Sequence, residues 1–250
     1  MSVVELAATA IAALVIGLLI GTIGIGGVLL TPWLTQIVGL PVRDAIMISS
    51  FAFLGTGIAA LVVSARSVQA SANMDWRLVG ATVPGALAGA WALSVIPGRI
   101  ALGLLAVLTM WVGFRVLFAG ARGGTRPELV KPVSAGLPVG ALTGFASALT
   151  GTGGPMVLTP ILLWQGVPVL TAILLGQVVQ LPIALTATAG NLYLGGLDVG
   201  AGTAIGLLLL PGAFCGPRVA QALPLVALTR VVAVTLLAAG ISFAYKAMGW

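Results

Sequence analysis

The chain has 250 residues, of which 60% are hydrophobic and only 6% are charged, with a net charge of +6. A soluble domain carries roughly 25% charged residues, so the composition excludes one and indicates a polytopic membrane protein. The apolar runs are continuous rather than alternating, which predicts membrane-spanning helices and not a β-barrel. Lysine and arginine occur singly along the chain, a pattern that marks membrane topology and argues against nucleic-acid binding.

Eight apolar blocks follow in chain order, and each is predicted to be helical. They cover residues 4–38, 43–65, 76–96, 99–119, 132–165, 170–194, 201–221 and 225–247. The first and fifth blocks are longer than the ~20 residues that one membrane crossing needs. We therefore expect each of these two blocks to contain two helical pieces.

The two halves of the chain are copies of each other. Gly39-Leu40-Pro41-Val42 recurs as Gly166-Val167-Pro168-Val169, and Pro84-Gly85-Ala86 recurs as Pro211-Gly212-Ala213, both at an offset of 127 residues. A polar connector separates the copies. The predicted domains are an N-terminal transmembrane repeat over residues 1–120, a cytoplasmic connector over 121–131 and a C-terminal transmembrane repeat over 132–250.

Each long block contains a glycine-rich break, and each break ends in Thr-Pro. At membrane depth an irregular backbone survives only where protein buries it or where it lines a polar cavity, and two breaks in matching halves point to a transporter's binding site. Freed backbone N–H groups and a helix dipole can bind an anion there, although glycines also serve close helix packing. The candidate substrate-binding residues at the breaks are Gly24, Gly26, Gly27, Gly151, Thr152, Gly153 and Gly154.

Two chain paths fit these long blocks. Each block is either a hairpin that returns to its starting side or a full crossing followed by a re-entrant piece. Hairpins would make the halves inverted repeats and divide the positive charges eight against three, whereas full crossings divide them seven against four. The positive-inside rule favours the hairpins, and both paths place the connector in the cytoplasm.

Few polar residues interrupt the spans. Ser49 and Ser50 lie in the second block and align, by the repeat offset, with Gly176 and Gln177 in the sixth. Hydroxyl and amide groups are neutral donors that suit an oxyanion which must also be released. Ser49, Ser50 and Gln177 therefore join the candidate binding residues, with interhelical hydrogen bonding as the alternative role.

The remaining residue types favour no catalysis. The chain has no histidine and a single cysteine, Cys215, and it shows no Walker loop, paired catalytic carboxylates or metal cluster. Asp75 and Asp198 stand at block starts, where an acidic residue caps a helix. The sequence thus predicts no enzyme, no cofactor and no metal, and no proton-relay carboxylate deep in a span.

These motifs resemble those of the sulfite exporter (TauE/SafE) family, which has Gly-x-Gly-Gly-Gly-x-Leu-Leu-x-Pro early in each half. The second half matches from Gly151 to Pro160, with Pro155 at the third glycine, whereas the first half is one residue shorter up to Pro32. Asp75-Trp76-Arg77 matches a further signature of the family. The resemblance covers essentially the whole chain.

The resemblance implies a secondary transporter that exports a small sulfur oxyanion, such as sulfite, or an organosulfonate across a bacterial inner membrane. Its partners would be that anion and the lipid bilayer, and the sequence is compatible with a homo-oligomer. Alternatives are a passive small-anion channel, an importer of a sulfur-containing anion, or a membrane scaffold that transports nothing. A scaffold needs no duplicated break, which disfavours it.

Overall fold

The computed structural model describes residues 3–24, 26–65, 75–118, 136–165, 167, 169–222 and 225–248, and every secondary-structure element in them is helical. The predicted connector at 121–131 lies outside these residues. The helices are α1 (Val3–Ile23), a 3₁₀ turn (Gly26–Leu29) leading into α2 (Leu30–Gln36), α3 (Val42–Ala65), α4 (Trp76–Val95), α5 (Gly98–Phe118), α6 (Gly136–Thr150), α7 (Gly154–Trp164), α8 (Val169–Leu194), α9 (Val199–Ala222) and α10 (Leu225–Ala247).

The predicted all-helical membrane fold is confirmed. Five helices in the described part of the chain are long and apolar enough to cross a membrane, namely α3, α4, α5, α8 and α9. The first and fifth blocks each divide into two helices at the glycine-rich break, as the sequence predicts.

The first long block folds back on itself. The indole N–H of Trp33 in α2 donates to the hydroxyl of Thr9 in α1 at 3.5 Å. In the 3₁₀ turn that precedes α2, Gly26 lies against Leu19 and Ile20 of α1. The chain therefore reverses at the break, and α2 returns along the side of α1.

Contacts between the halves are reciprocal. Helix α4 packs on α6 and its repeat equivalent α9 packs on α1, while α3 packs on α9 and its equivalent α8 on α4. Two further large contacts pair a helix with its own equivalent, α3 with α8 and α5 with α10, and α7 packs on α8 within the second half. Exchange of the two halves thus reproduces the large contacts between them, whereas the contact of α7 with α8 is more extensive than that of α2 with α3.

Glycines explain how the reciprocal pairs approach so closely. A Cβ at Gly85 or Gly89 in α4 would collide with backbone carbonyls of α6, and one at Gly212 or Gly216 in α9 would collide with the backbone of α1. Lipid tails are as apolar as leucine, so membrane helices associate through close packing of small residues. The duplicated Pro-Gly-Ala motif is therefore a packing element.

Both candidate capping acids cap helices. The Asp75 carboxylate accepts the backbone N–H of Arg77 at 3.0 Å, and that of Asp198 accepts the N–H of Ala201 at 2.9 Å. Each satisfies an N–H that has no partner within its own helix.

Candidate functional site: two glycine breaks at the centre of the bundle

The two glycine breaks meet inside the bundle. A Cβ on Gly27 would lie 3.3 Å from the carbonyl oxygen of Thr152, and one on Gly24 would lie 3.7 Å from Cβ of Pro155. All seven candidate residues at the breaks are buried. The fold therefore brings together two segments that are far apart in the chain.

The two breaks begin with the same backbone conformation and then differ. Gly24 has φ of +74° and its repeat equivalent Gly151 has φ of +61°, a left-handed conformation that favours glycine. In the second break Gly153 is also left-handed, at +76°, and α7 then begins directly at Gly154. In the first break Gly26 instead opens the 3₁₀ turn. The motif that is one residue shorter thus makes a different turn.

The predicted polar side chains bind backbone around the breaks. The amide Nε2 of Gln177 donates to the carbonyl of Ile20 at 3.0 Å, just before the first break. The same amide nitrogen is 3.6 Å from where a Cβ of Gly24 would lie. Gln177 is 6% exposed, so this side chain of the second half is placed against the break of the first half.

Ser49 and Ser50 take separate roles. The hydroxyl oxygen of Thr31 lies within hydrogen-bond distance of Ser49 Oγ, at 3.2 Å, and of the carbonyl oxygen of Gly151, at 3.0 Å, so Thr31 connects α3 with the second break. Ser50 donates to the carbonyl of Ile46 in its own helix and lines a small cavity.

Phe53 and Gln180 are not among the residues predicted from the sequence to bind substrate, and they occupy equivalent positions in the two repeats. The ring of Phe53 lies against both breaks, with Cζ 3.0 Å from a Cβ placed on Gly27 and Cδ2 3.6 Å from one on Gly153. Gln180 Nε2 donates to the hydroxyl of Thr56 at 2.6 Å. The repeat offset is the sequence signal that pairs Phe53 with Gln180.

Two small cavities flank this pair. One of about 10 Å³ is lined by residues that include Ser50, Ser147, Gly153 and Gln180, and another of about 10 Å³ is lined by Ile20, Gly21, Thr56, Ala59, Ala60, Gln177 and Ala213. The cavities are related by the repeat, since Ser50 corresponds to Gln177. Each has room for about one water molecule, so the structure is closed around its centre.

The lining of these cavities is neutral. No described residue that lines either cavity is charged, and the polar groups there are hydroxyls, amides and backbone. Neutral donors and N–H groups at a helix start can bind an anion less tightly than a lysine or arginine would, which allows its release. A larger cavity of about 750 Å³ beside α1, α2 and α10 is mainly apolar and does not offer such a lining.

Comparison with known proteins gives two matches. The family model described as "Sulfite exporter TauE/SafE" matches residues 8–243. The chain is 30% identical over 181 residues to the "Probable inner membrane transporter protein TsaS" of Comamonas testosteroni, a match that covers 68% of this chain and 72% of that protein. No solved structure matches the chain. The family match extends over nearly all of the helices and both glycine breaks, and the chain belongs to the sulfite exporter TauE/SafE family.

Proposed function

We propose that the protein is a secondary transporter that exports a small sulfur oxyanion, such as sulfite, or an organosulfonate across the inner membrane. The observation that carries this proposal is the contact between two glycine breaks, one from each half, at a buried and uncharged centre. Membership of a sulfite exporter family and similarity to a probable inner membrane transporter support the class of substrate and the location.

In this mechanism the anion binds between the breaks and the protein opens to one side at a time. The substrate-binding groups are the backbone of Gly24, Gly26, Gly27 and Gly151–Gly154, assisted by the side chains of Ser50 and Gln177. Ser49 supports the site through its bond with Thr31. The one-water cavities favour a carrier over a passive channel, because helices must separate before an anion can enter. No catalytic group is required.

We further propose that the two halves are inverted repeats. Helices α3 and α8 contact each other in antiparallel register, since Thr56 bonds Gln180 while Ser50 and Ala187 line one cavity. Helices α5 and α10 do the same, with Gly113 against Ala233 and Gly240 against Met110. A two-fold axis along the membrane normal would make equivalent helices parallel, whereas an axis in the membrane plane makes them antiparallel. The register supports the second arrangement.

Cysteine labelling tests this topology. The exposed Cys215 is first replaced by serine, and Gly124→Cys and Trp250→Cys are then labelled from the periplasm with an impermeant maleimide. A cytoplasmic connector predicts protection at residue 124, and inverted repeats predict labelling at residue 250. Labelling at 124 would contradict the orientation, and protection at 250 would leave only parallel repeats.

Sulfite counterflow in proteoliposomes tests the function. Vesicles loaded with unlabelled sulfite should transiently accumulate [³⁵S]sulfite, because a carrier exchanges faster when substrate is present on both sides. Flux that simply equilibrates would indicate a channel. A rate equal to that of protein-free vesicles would contradict transport of this anion.

A further inference from the structure

Three buried hydrogen-bond donors in the described part of the chain have no partner: Gln36 Nε2, which lines the larger apolar cavity, and two donors on α8. In the described part of the chain, Thr188 Oγ1 and Asn191 Nδ2 are enclosed and make no hydrogen bond. Thr188 is 6% exposed and Asn191 is 2% exposed. Buried polar groups in native proteins are nearly always paired, so each exception calls for an explanation. Both of these lie on α8.

The two donors continue the polar face of α8 that begins at the site. Gln177, Gln180, Ala184, Thr188 and Asn191 follow one another at spacings of three or four residues, which places them along one side of a helix. Gln180 and Ala184 line the central cavity. The unpartnered donors therefore occupy the next turns of the same face, moving away from that cavity.

This face ends at the surface of the protein. Tyr193, only two residues after Asn191, is 91% exposed, and Gly195 and Gly196 in the following turn are exposed as well. On the proposed topology this end of α8 lies on the side of the membrane opposite the 121–131 connector. Thr188 and Asn191 thus stand between the cavity and that side of the membrane.

The other half lacks this pair. The repeat equivalent of Thr188 is Leu61, which is 36% exposed and offers no donor, and the repeat equivalent of Asn191 is Ser64. If the fold alone required these donors, both repeats would be expected to carry them, since the helices of the two repeats pack reciprocally. The buried and unpartnered Thr188–Asn191 pair of α8 is not repeated on α3, which points to a task at one end of the pathway.

We propose that Thr188 and Asn191 form a second binding position for the transported oxyanion, between the central site and the membrane surface opposite the connector. The hydroxyl and amide donate to the anion's oxygens as it passes, and release remains easy because neither group is charged. This inference rests on the proposed function and adds to it an exit position on α8.

The test uses substitutions that remove the donors and nearly keep the shape, Thr188→Val and Asn191→Leu, alone and together. Thr186→Val is the matched control, because that hydroxyl on the same helix already donates to the carbonyl of Pro182 at 2.7 Å. Initial rates of [³⁵S]sulfite transport in proteoliposomes and melting temperatures in detergent are measured for each. Thr188→Ser, which keeps the hydroxyl, provides the rescue.

The double variant should transport sulfite about tenfold more slowly or worse, the change expected when a hydrogen bond to a charged group is lost. Its melting temperature should stay equal or rise, because no bond within the protein is removed. Thr186→Val and Thr188→Ser should transport at nearly the wild-type rate.

Wild-type rates in the double variant would overturn the proposal and would indicate that a resident water satisfies the donors. Equal rates for Thr188→Val and Thr188→Ser, or a double variant that no longer folds, would also overturn it. If the wild-type protein itself transports no sulfite, the proposed function is wrong, and the Thr188–Asn191 position is then not a sulfite-binding position.

Discussion

Alanine in place of Gly153 should slow transport about tenfold or more at a modest and predictable cost in stability. Gly153 has φ of +76°, a conformation that costs a residue with a Cβ about 1–2 kcal/mol. The added methyl group would meet no close neighbour, since Phe53, Pro155 and Gln180 lie 3.6, 3.7 and 3.8 Å away. Backbone strain is therefore the whole expected loss.

Gly195→Ala is a matched control for that strain. Gly195 has φ of +78° and no described atom within 4 Å of an added Cβ, and it lies in the exposed turn after α8. Both variants should thus lose about 1–2 kcal/mol, or a factor of roughly 5–30 in the folding equilibrium. Denaturant titration in detergent measures this loss.

Only one of the two variants should lose function. The methyl group of Gly153→Ala enters the cavity of about 10 Å³ beside Ser50 and Gln180 and keeps an anion from the backbone of the second break. We expect [³⁵S]sulfite transport to fall about tenfold or more, the change that accompanies a lost hydrogen bond to a charged group. Gly195→Ala should transport normally. Equal transport by the two variants would refute the assignment of the second break to substrate binding.

Three further outcomes follow from the contacts. Gly26→Ala should reduce the amount of folded protein in the membrane, because its Cβ would lie 2.5 Å from Leu19 Cβ and 2.6 Å from the backbone nitrogen of Ile20. Gly80→Ala in α4 meets no described atom within 4 Å and should stabilise the protein by about 1 kcal/mol through helix propensity. A melting temperature of Gly26→Ala equal to or above that of Gly80→Ala would contradict the packing. Gln177→Met should lose about 1 kcal/mol with its bond to Ile20 and should slow sulfite transport, and unchanged initial rates would remove this side chain from the site. Asp75→Asn should keep the pH dependence of transport, because that carboxylate caps α4; a flat pH profile with sulfite binding intact would make Asp75 the coupling group.

Much of the architecture could be predicted because the membrane limits the choices. Continuous apolar runs gave the helical blocks, and their excess length at 4–38 and 132–165 correctly indicated two helices in each. The break glycines could be chosen as candidate binding residues because the chain repeats itself, whereas their contact with each other is visible only in the fold. Asp75 and Asp198 could be assigned as caps from their position before a block.

Contacts between distant side chains could not be predicted in the same way. Phe53 reads as one more apolar residue in α3, and only the packed fold shows its ring against Gly27 and Gly153. The bond from Thr31 to Gly151 joins residues far apart in sequence, so no local pattern predicts it. The shorter first motif likewise did not indicate which turn it forms, and the structure shows that Gly26 begins a 3₁₀ turn instead of repeating the conformation of Gly153.

Selenite, the selenium counterpart of sulfite, offers the most direct test of the central claim that an anion binds at the two glycine breaks. Crystals grown with selenite and measured at the selenium absorption edge would locate the anion by its anomalous signal, with a crystal of a cysteine-free, selenite-free sample as the background control. The account predicts a peak between the two breaks, within hydrogen-bond distance of the backbone at Gly153–Gly154 and of the Gln177 amide. A peak confined to other parts of the protein, with none between the breaks, would contradict it.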